Sequence, residues 1–155
     1  MKPIRTAAKA IVIRDGRLLV TVNRDPDGVF YLLPGGGQEP GETLLQALRR
    51  ECREEIGADV EIGDLVFVRE YIGAQHEFTD HDGDVHQIEL LFVARLPDGE
   101  IPGAGMVPDT GQTGIAWLPI AELPRLRLYP AALAEPLRRL SQGALPGPHY
   151  LGDVN

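Results

Sequence analysis

The chain has 155 residues, 43% of them apolar and 25% charged, with a net charge of −8, the balance of a water-soluble chain long enough to bury its own core. That acidity excludes an extended nucleic-acid face, which needs clustered Lys and Arg, and no apolar run approaches the ~18 residues needed to cross a bilayer. The only cysteine, Cys52, leaves no intrachain disulfide to form, and with no signal-peptide core near the N-terminus the expectation is a single cytoplasmic domain over residues 1–155, without nucleic-acid or membrane partners and free to form a homodimer.

In chain order, "AAKAIVIRDGRLLVTVNRD" reads as two strands joined by the turn Asp15–Gly16. "VFYLLPGGG" is a short aromatic strand running into a glycine loop. A helix is then predicted over Leu44 to Glu55, with Thr43 as its cap, Gln46 as the reciprocal capping-box partner and Gly57 as the left-handed C-terminal cap. "DVEIGDLVFVREYIG" and "VHQIELLFVARL" read as strands separated by the polar loop "AQHEFTDHDGD". A Gly/Pro loop precedes the short segment "IAWLPI". "PAALAEPLRRLSQG" reads as a second helix interrupted by Pro136, and the tail over 143–155 is expected to be irregular. Strands interspersed with two helices predict a mixed α/β sandwich.

The first helix carries an unusual charge pattern. At 100° per residue, Leu45, Leu48, Cys52 and Ile56 share an apolar stripe. Glu51, Glu54 and Glu55 gather on another side near the C-terminus, where the helix dipole disfavours negative charge by about 0.3–1 kcal/mol per group. Taken alone, this is either a solvated acidic face or a site for a divalent cation. Carboxylates one turn apart on a rigid helix suit Mg²⁺, which takes oxygen ligands.

The preceding loop, "LPGGGQEPGE", ends in Gly41-Glu42-Thr43, with no lysine, and so lacks the ending of a phosphate-binding P-loop. Together, Gly36, Glu42 and "RECREEIGA" resemble the signature of the Nudix hydrolase family: a glycine, a glutamate six residues later, then Arg-Glu-aliphatic-x-Glu-Glu-x-Gly-aliphatic. Every fixed position is met from Gly36 to Ala58, with Cys52 and Ala58 in the two aliphatic places.

The resemblance implies an α/β/α sandwich with a mixed sheet. It also implies hydrolysis of a pyrophosphate bond in a nucleoside diphosphate linked to another moiety: a nucleotide sugar, a dinucleoside polyphosphate or a nucleoside triphosphate. The cofactor would be Mg²⁺, with Mn²⁺ as a substitute, and the partner a small phosphorylated nucleotide. Residue by residue, Glu51, Glu54 and Glu55 match the metal-binding glutamates and the Gly36 carbonyl matches a backbone ligand. Arg50 matches the arginine that orients the carboxylates, and Glu42 matches the supporting first glutamate. Glu51, Glu54, Arg50 and Glu42 are thus the catalytic candidates. The alternative is a catalytically silent nucleotide-binding or regulatory module of the same fold, and the intact glutamates weigh against it. Isoprenoid diphosphate isomerisation would need a further cysteine.

Outside that motif, Asp109 and Glu89 are candidates for an extra acid, because a glutamate in an apolar strand needs a partner or a cavity. Tyr31 is a candidate substrate contact. Phe30, Tyr31 and Tyr71 are each expected chiefly in the core. His76, His81 and His86 match no structural zinc spacing and read as loop residues.

Overall fold

In the computed structural model, residues 2–103, 111–144 and 147–155 are described. The strands are β1 (Arg5–Arg14), β2 (Arg17–Asp25), β3 (Gly28–Leu32), β4 (Gly35–Gly37), β5 (Glu61–Ile72), β6 (His86–Arg95), β7 (Gln112–Pro119), β8 (Leu128–Tyr129) and β9 (Tyr150–Asp153). The α-helices are α1 (Leu44–Ile56), α2 (Thr79–Asp82) and α3 (Ala134–Ser141). Among the described residues the strands join in the order β8-β3-β2-β1-β6-β5-β9, with β4 added to β1 and β7 to β2. The sheet is mixed: β1 runs parallel to β6 and antiparallel to β2 and β4. β1 and β2 share only two register pairs beside their turn. Past that point β1 continues against β4 and β6 while β2 pairs with β3 and β7, so the sheet curls.

Alternation along β1 assigns its two faces. Ala8, Ala10 and Val12 pack with Leu48, Cys52 and Ile56 of α1. Ile11 joins Leu91, Phe67 and the α3 residue Leu137 in a second cluster on the other face. Two apolar layers therefore flank one sheet, with α1 on one side and α3 on the other. Turn and cap chemistry match the sequence expectation. Asp15 and Gly16 both take positive φ in the β1–β2 turn, Thr43 and Gln46 form the complete capping box, and Gly57 is left-handed.

Several expectations are corrected. The tail is not irregular throughout, because residues 150–153 form β9, parallel to β5. Leu45 is not on the core stripe but 38% exposed. The buried residues of α1 form two adjacent rows, Leu48-Cys52-Ile56 and Ala47-Glu51-Glu55, and Leu45 lies outside both. The polar loop after β5 contains α2, and β7 begins at Gln112 rather than at the "IAWLPI" segment. Pro136 does not break the second helix. It sits in the first turn of α3, where an amide N–H has no intrahelical acceptor to lose. No helix among the described residues is long and apolar enough to cross a membrane.

Candidate active site

The second buried row of α1 explains how the acidic helix end is tolerated. Glu55 accepts a hydrogen bond from the Gly35 amide at 2.9 Å. Glu51 lies against Gly36 so closely that a Cβ there would fall 2.5 Å from its carboxyl carbon. Gly35 has φ +133, and any side chain on it would collide with the backbone of Ala8. Both glycines are thus demanded by close approach, Gly35 to β1 and Gly36 to the helix carboxylate.

Arg50 is the hub. Its Nε donates to Glu42 Oε1 at 2.7 Å and one terminal nitrogen donates to Glu42 Oε2 at 3.0 Å. That same nitrogen reaches the Gly37 carbonyl at 2.9 Å. The other donates to Glu51 at 2.8 Å and, more weakly, to Glu54 at 3.4 Å. One planar guanidinium thereby ties together the loop, β4 and two carboxylates of α1, a task for which a lysine lacks the fork geometry. The Arg50 hydrogen bonds, aided by the Glu39 amide, hold the Glu42 carboxyl at about 2, well below the ordinary range. Glu51 and Glu55 are buried, and Glu54 is half-buried.

Among the described residues, no three His, Cys, Asp or Glu side chains form a group that could by themselves hold a metal ion. The chemistry of the donors nevertheless fits a hard divalent cation. Glu51, Glu54 and Glu55 carry carboxylate oxygens within about one turn, with Glu51 against Gly36 and Glu55 on the Gly35 amide, and such a cation normally completes its shell with water and phosphate. Cys52 is not part of this. It is fully buried in the apolar row, and burial first, then the nearby Glu55 charge, pushes its thiol up to about 12.

On the opposite face, β1, β5, β6 and β3 surround a cavity of about 480 Å³. The register places Arg5 beside Gln87 and Lys9 beside Leu91. Glu89 lies beside Arg69 and Gln87 beside Tyr71. Glu89 is therefore neither solvated nor a lone buried charge: it is 5% exposed, accepts from Arg69 Nε at 2.6 Å and from Gln87 at 2.8 Å, and lines this cavity. Burial pushes its pKa up, but the charges of Lys9 and Arg69, with those two hydrogen bonds, outweigh this and leave it lowered. Lys9 connects the two faces. It lines the cavity, and its Nζ donates at 3.0 Å to the carbonyl of Gly35, whose amide holds Glu55.

The structure thus brings Gly36, Glu42, Arg50, Glu51, Glu54 and Glu55 together and places Glu89 across the sheet from them. Tyr31 packs against the core cluster and is absent from the cavity lining. Tyr71 is buried as expected, at the cavity wall, and Phe30, also expected in the core, is half-buried and lines the cavity. Asp109 lies outside the described residues. Histidines do not assemble a zinc site: His76 pairs with Asp153 at 2.6 Å and His86 with Glu70 at 3.3 Å. Lys9, Arg69 and Phe78 carry no signal in the sequence that sets them apart. The only available signal was a basic or aromatic residue at a strand or loop position, which is common everywhere.

A glycine strand packed against an arginine-tethered, glutamate-rich helix on a curled mixed sheet is the layout that the comparison with known proteins places in one hydrolase family. The NUDIX domain family model matches residues 3–140, and the chain belongs to that family. The nucleoside triphosphatase NudI of Salmonella agona (strain SL483) is 34% identical over 93 residues, a match covering 57% of this chain. It spans 66% of that relative, just under two thirds of its length. The crystal structure of a MutT NUDIX hydrolase from Burkholderia pseudomallei is similar at TM-score 0.66 and 27% identity, covering 86% of this chain and 96% of that one. A NUDIX hydrolase from Nitrosomonas europaea shares the fold at TM-score 0.73 and 23% identity, covering 100% of this chain and 81% of its own.

Proposed function

We propose that the chain hydrolyses a pyrophosphate bond in a nucleoside diphosphate linked to another group, with Mg²⁺ held by Glu51, Glu54, Glu55 and the Gly36 carbonyl, and Mn²⁺ able to replace it. The observation that carries this reading is the Arg50 hub, which binds Glu42, Glu51, Glu54 and the Gly37 carbonyl in one network. A surface acidic helix has no need of such a tether.

When bound, a divalent cation neutralises the pyrophosphate oxygens and lowers the pKa of a nearby water. The chain's own residues do the rest. Arg50 fixes the carboxylates of Glu51 and Glu54 relative to β4. Glu42 fixes Arg50. Gly36, lacking a Cβ, leaves the Glu51 carboxylate beside the backbone. Glu54 is the least buried of the three glutamates and accepts the proton of the attacking water. The water oxygen bonds to phosphorus, and the bond from that phosphorus to the bridging oxygen breaks. General-base assistance of this kind is worth about 10²–10⁴-fold.

The NudI relative's name puts nucleoside triphosphates first among substrates to test. A panel of nucleoside triphosphates, nucleotide sugars and dinucleoside polyphosphates is incubated with Mg²⁺ or with EDTA and the products are read by mass. Metal-dependent release of a nucleoside phosphate is expected, with large losses in Glu54→Gln and Glu55→Gln. The competing reading is a catalytically silent nucleotide-binding module of the same fold. Absence of metal-dependent turnover on the whole panel would select it.

A further inference from the structure

We propose that Lys9 is a positioning residue for the reaction centre: its ammonium, hydrogen-bonded to the Gly35 carbonyl, holds β4 where the Gly35 amide fixes the Glu55 carboxylate. What Glu55 then does rests on the hydrolase reading; how Glu55 is placed rests on geometry alone.

β4 is an unlikely element on which to build precision. It consists of Gly35, Gly36 and Gly37, so it has no side chain to pack, and glycine loses more conformational freedom on ordering than any other residue. Among the described residues it pairs with β1 alone, through Ala7, Ala8 and Lys9. Yet α1 depends on it, because the Gly35 amide donates to Glu55 at 2.9 Å and Gly36 abuts Glu51. A strand without side chains has to be held by its own peptide groups, and a cation holds each end. Arg50 donates to the Gly37 carbonyl at 2.9 Å, and Lys9 donates to the Gly35 carbonyl at 3.0 Å. Charged donors make hydrogen bonds roughly twice as strong as neutral ones.

The two anchors work from different sides. Arg50 stands on α1 and ties the strand to the helix that carries the glutamates. Lys9 stands on β1, directly opposite Gly35 in the register, and ties the strand to the sheet. A Cβ on Gly35 would fall 2.1 Å from the Ala8 carbonyl oxygen, so β1 touches this glycine twice, by its backbone and by the Lys9 ammonium. Lys9 is half-buried, and Glu89 on the neighbouring strand balances its charge. Burial raises the Glu89 carboxyl, and the Lys9 charge is foremost among the influences that lower it. Glu89 also accepts from Arg69 and Gln87, so loss of the ammonium does not leave it without a partner.

Two measurements separate position from charge, both made without nucleotide, so that contact between Lys9 and a substrate can produce neither effect. In the metal-free protein, amide exchange followed by NMR should show Gly35 exchanging at least about tenfold faster in Lys9→Met than in wild type, with the amides between β2 and β7 unchanged. Mn²⁺ titration followed by electron paramagnetic resonance should show affinity about 10–100-fold weaker in Lys9→Met, the loss typical of a residue that orients a metal ligand. Lys9→Arg, which keeps a charged donor, should restore both. Lys9→Gln, one atom shorter in reach, should give the same two losses and serves if Lys9→Met loses its cooperative melt. Unchanged Gly35 exchange, or Mn²⁺ affinity that is unchanged or tighter in these variants, overturns the proposal. Tighter binding is the sign expected if the lysine acts only as a repelling charge. Faster Gly35 exchange in a protein whose wild type takes up no Mn²⁺ would leave the tether standing and remove the metal-dependent hydrolase reading.

Discussion

Two arginine–glutamate clusters face away from each other across the same sheet, and they differ in their balance of charge. Arg69 meets one glutamate, Glu89, in a pair whose side chains are each 7% exposed. Arg50 meets three, Glu42, Glu51 and Glu54, and a fourth, Glu55, lies one turn on. A buried one-to-one pair is electrically complete and contributes position more than stability. The cluster at Arg50 gathers several carboxylates around one guanidinium, an arrangement suited to drawing in a cation. The two clusters contain the same residue types; their stoichiometry separates a positioning element from the reaction centre proposed above.

This contrast is tested first by neutralising the surplus. Glu51→Gln and Glu54→Gln should each lower kcat by about 10²–10⁴-fold while changing the melting temperature little, since a carboxamide oxygen can still accept from Arg50. Glu89→Leu should do the reverse. Leaving Arg69 buried without its partner should cost about 3–5 kcal/mol in urea unfolding, with some kcat retained at permissive temperature. If both substitutions act alike on both readouts, the distinction between the clusters fails. A smaller effect is expected at Gly36→Ala. No unusual φ opposes that substitution, yet its Cβ would strike the Glu51 carboxylate. A drop of about 10–100-fold in activity or metal affinity should follow, read by kinetics at varied Mg²⁺.

The smallest effect concerns pH. The Glu42 carboxyl sits lower in the folded chain, at about 2, than its ordinary 4.5. Its contribution to stability is therefore fully present above that ordinary value and is lost as pH falls through about 2. The stability difference between wild type and Glu42→Gln should be constant at neutral pH and shrink below about pH 4, as followed by thermal melts across the acid range. A difference that grows in acid would contradict the Arg50–Glu42 tether.

Local chemistry was readable in the sequence and tertiary convergence was not. Thr43, Gln46 and Gly57 bound α1 as expected because caps are decided within a few residues. The glycine–glutamate motif pointed to Arg50 and its partners because all of them lie within one loop and helix. Three features escaped a reading confined to neighbouring residues. A glutamate in an apolar strand needs a partner, but the partner of Glu89, Arg69, comes from another strand. The role of 150–153 as a strand depends on an open edge of β5, which no residue in the tail reveals. Phe30 is half-buried and lines the cavity, which its sequence does not reveal because an aromatic strand position does not disclose whether the space before it is filled. Leu45 was misplaced because buried carboxylates occupy a row that an apolar-stripe argument assigns to solvent.

The alternation of β1 has one last consequence. Ala8 faces the helix and Lys9 the cavity, so a single strand serves as the partition between the two chambers. A shift of one residue in its pairing would exchange their contents, driving a lysine beneath α1 and an alanine into the cavity. Insertion of one residue within Ala7–Ala10 should thus abolish folding and chemistry together, whereas one added beyond Asp15–Gly16, at the exposed turn, can be absorbed. The strand that carries none of the helix glutamates is the one least able to change its length.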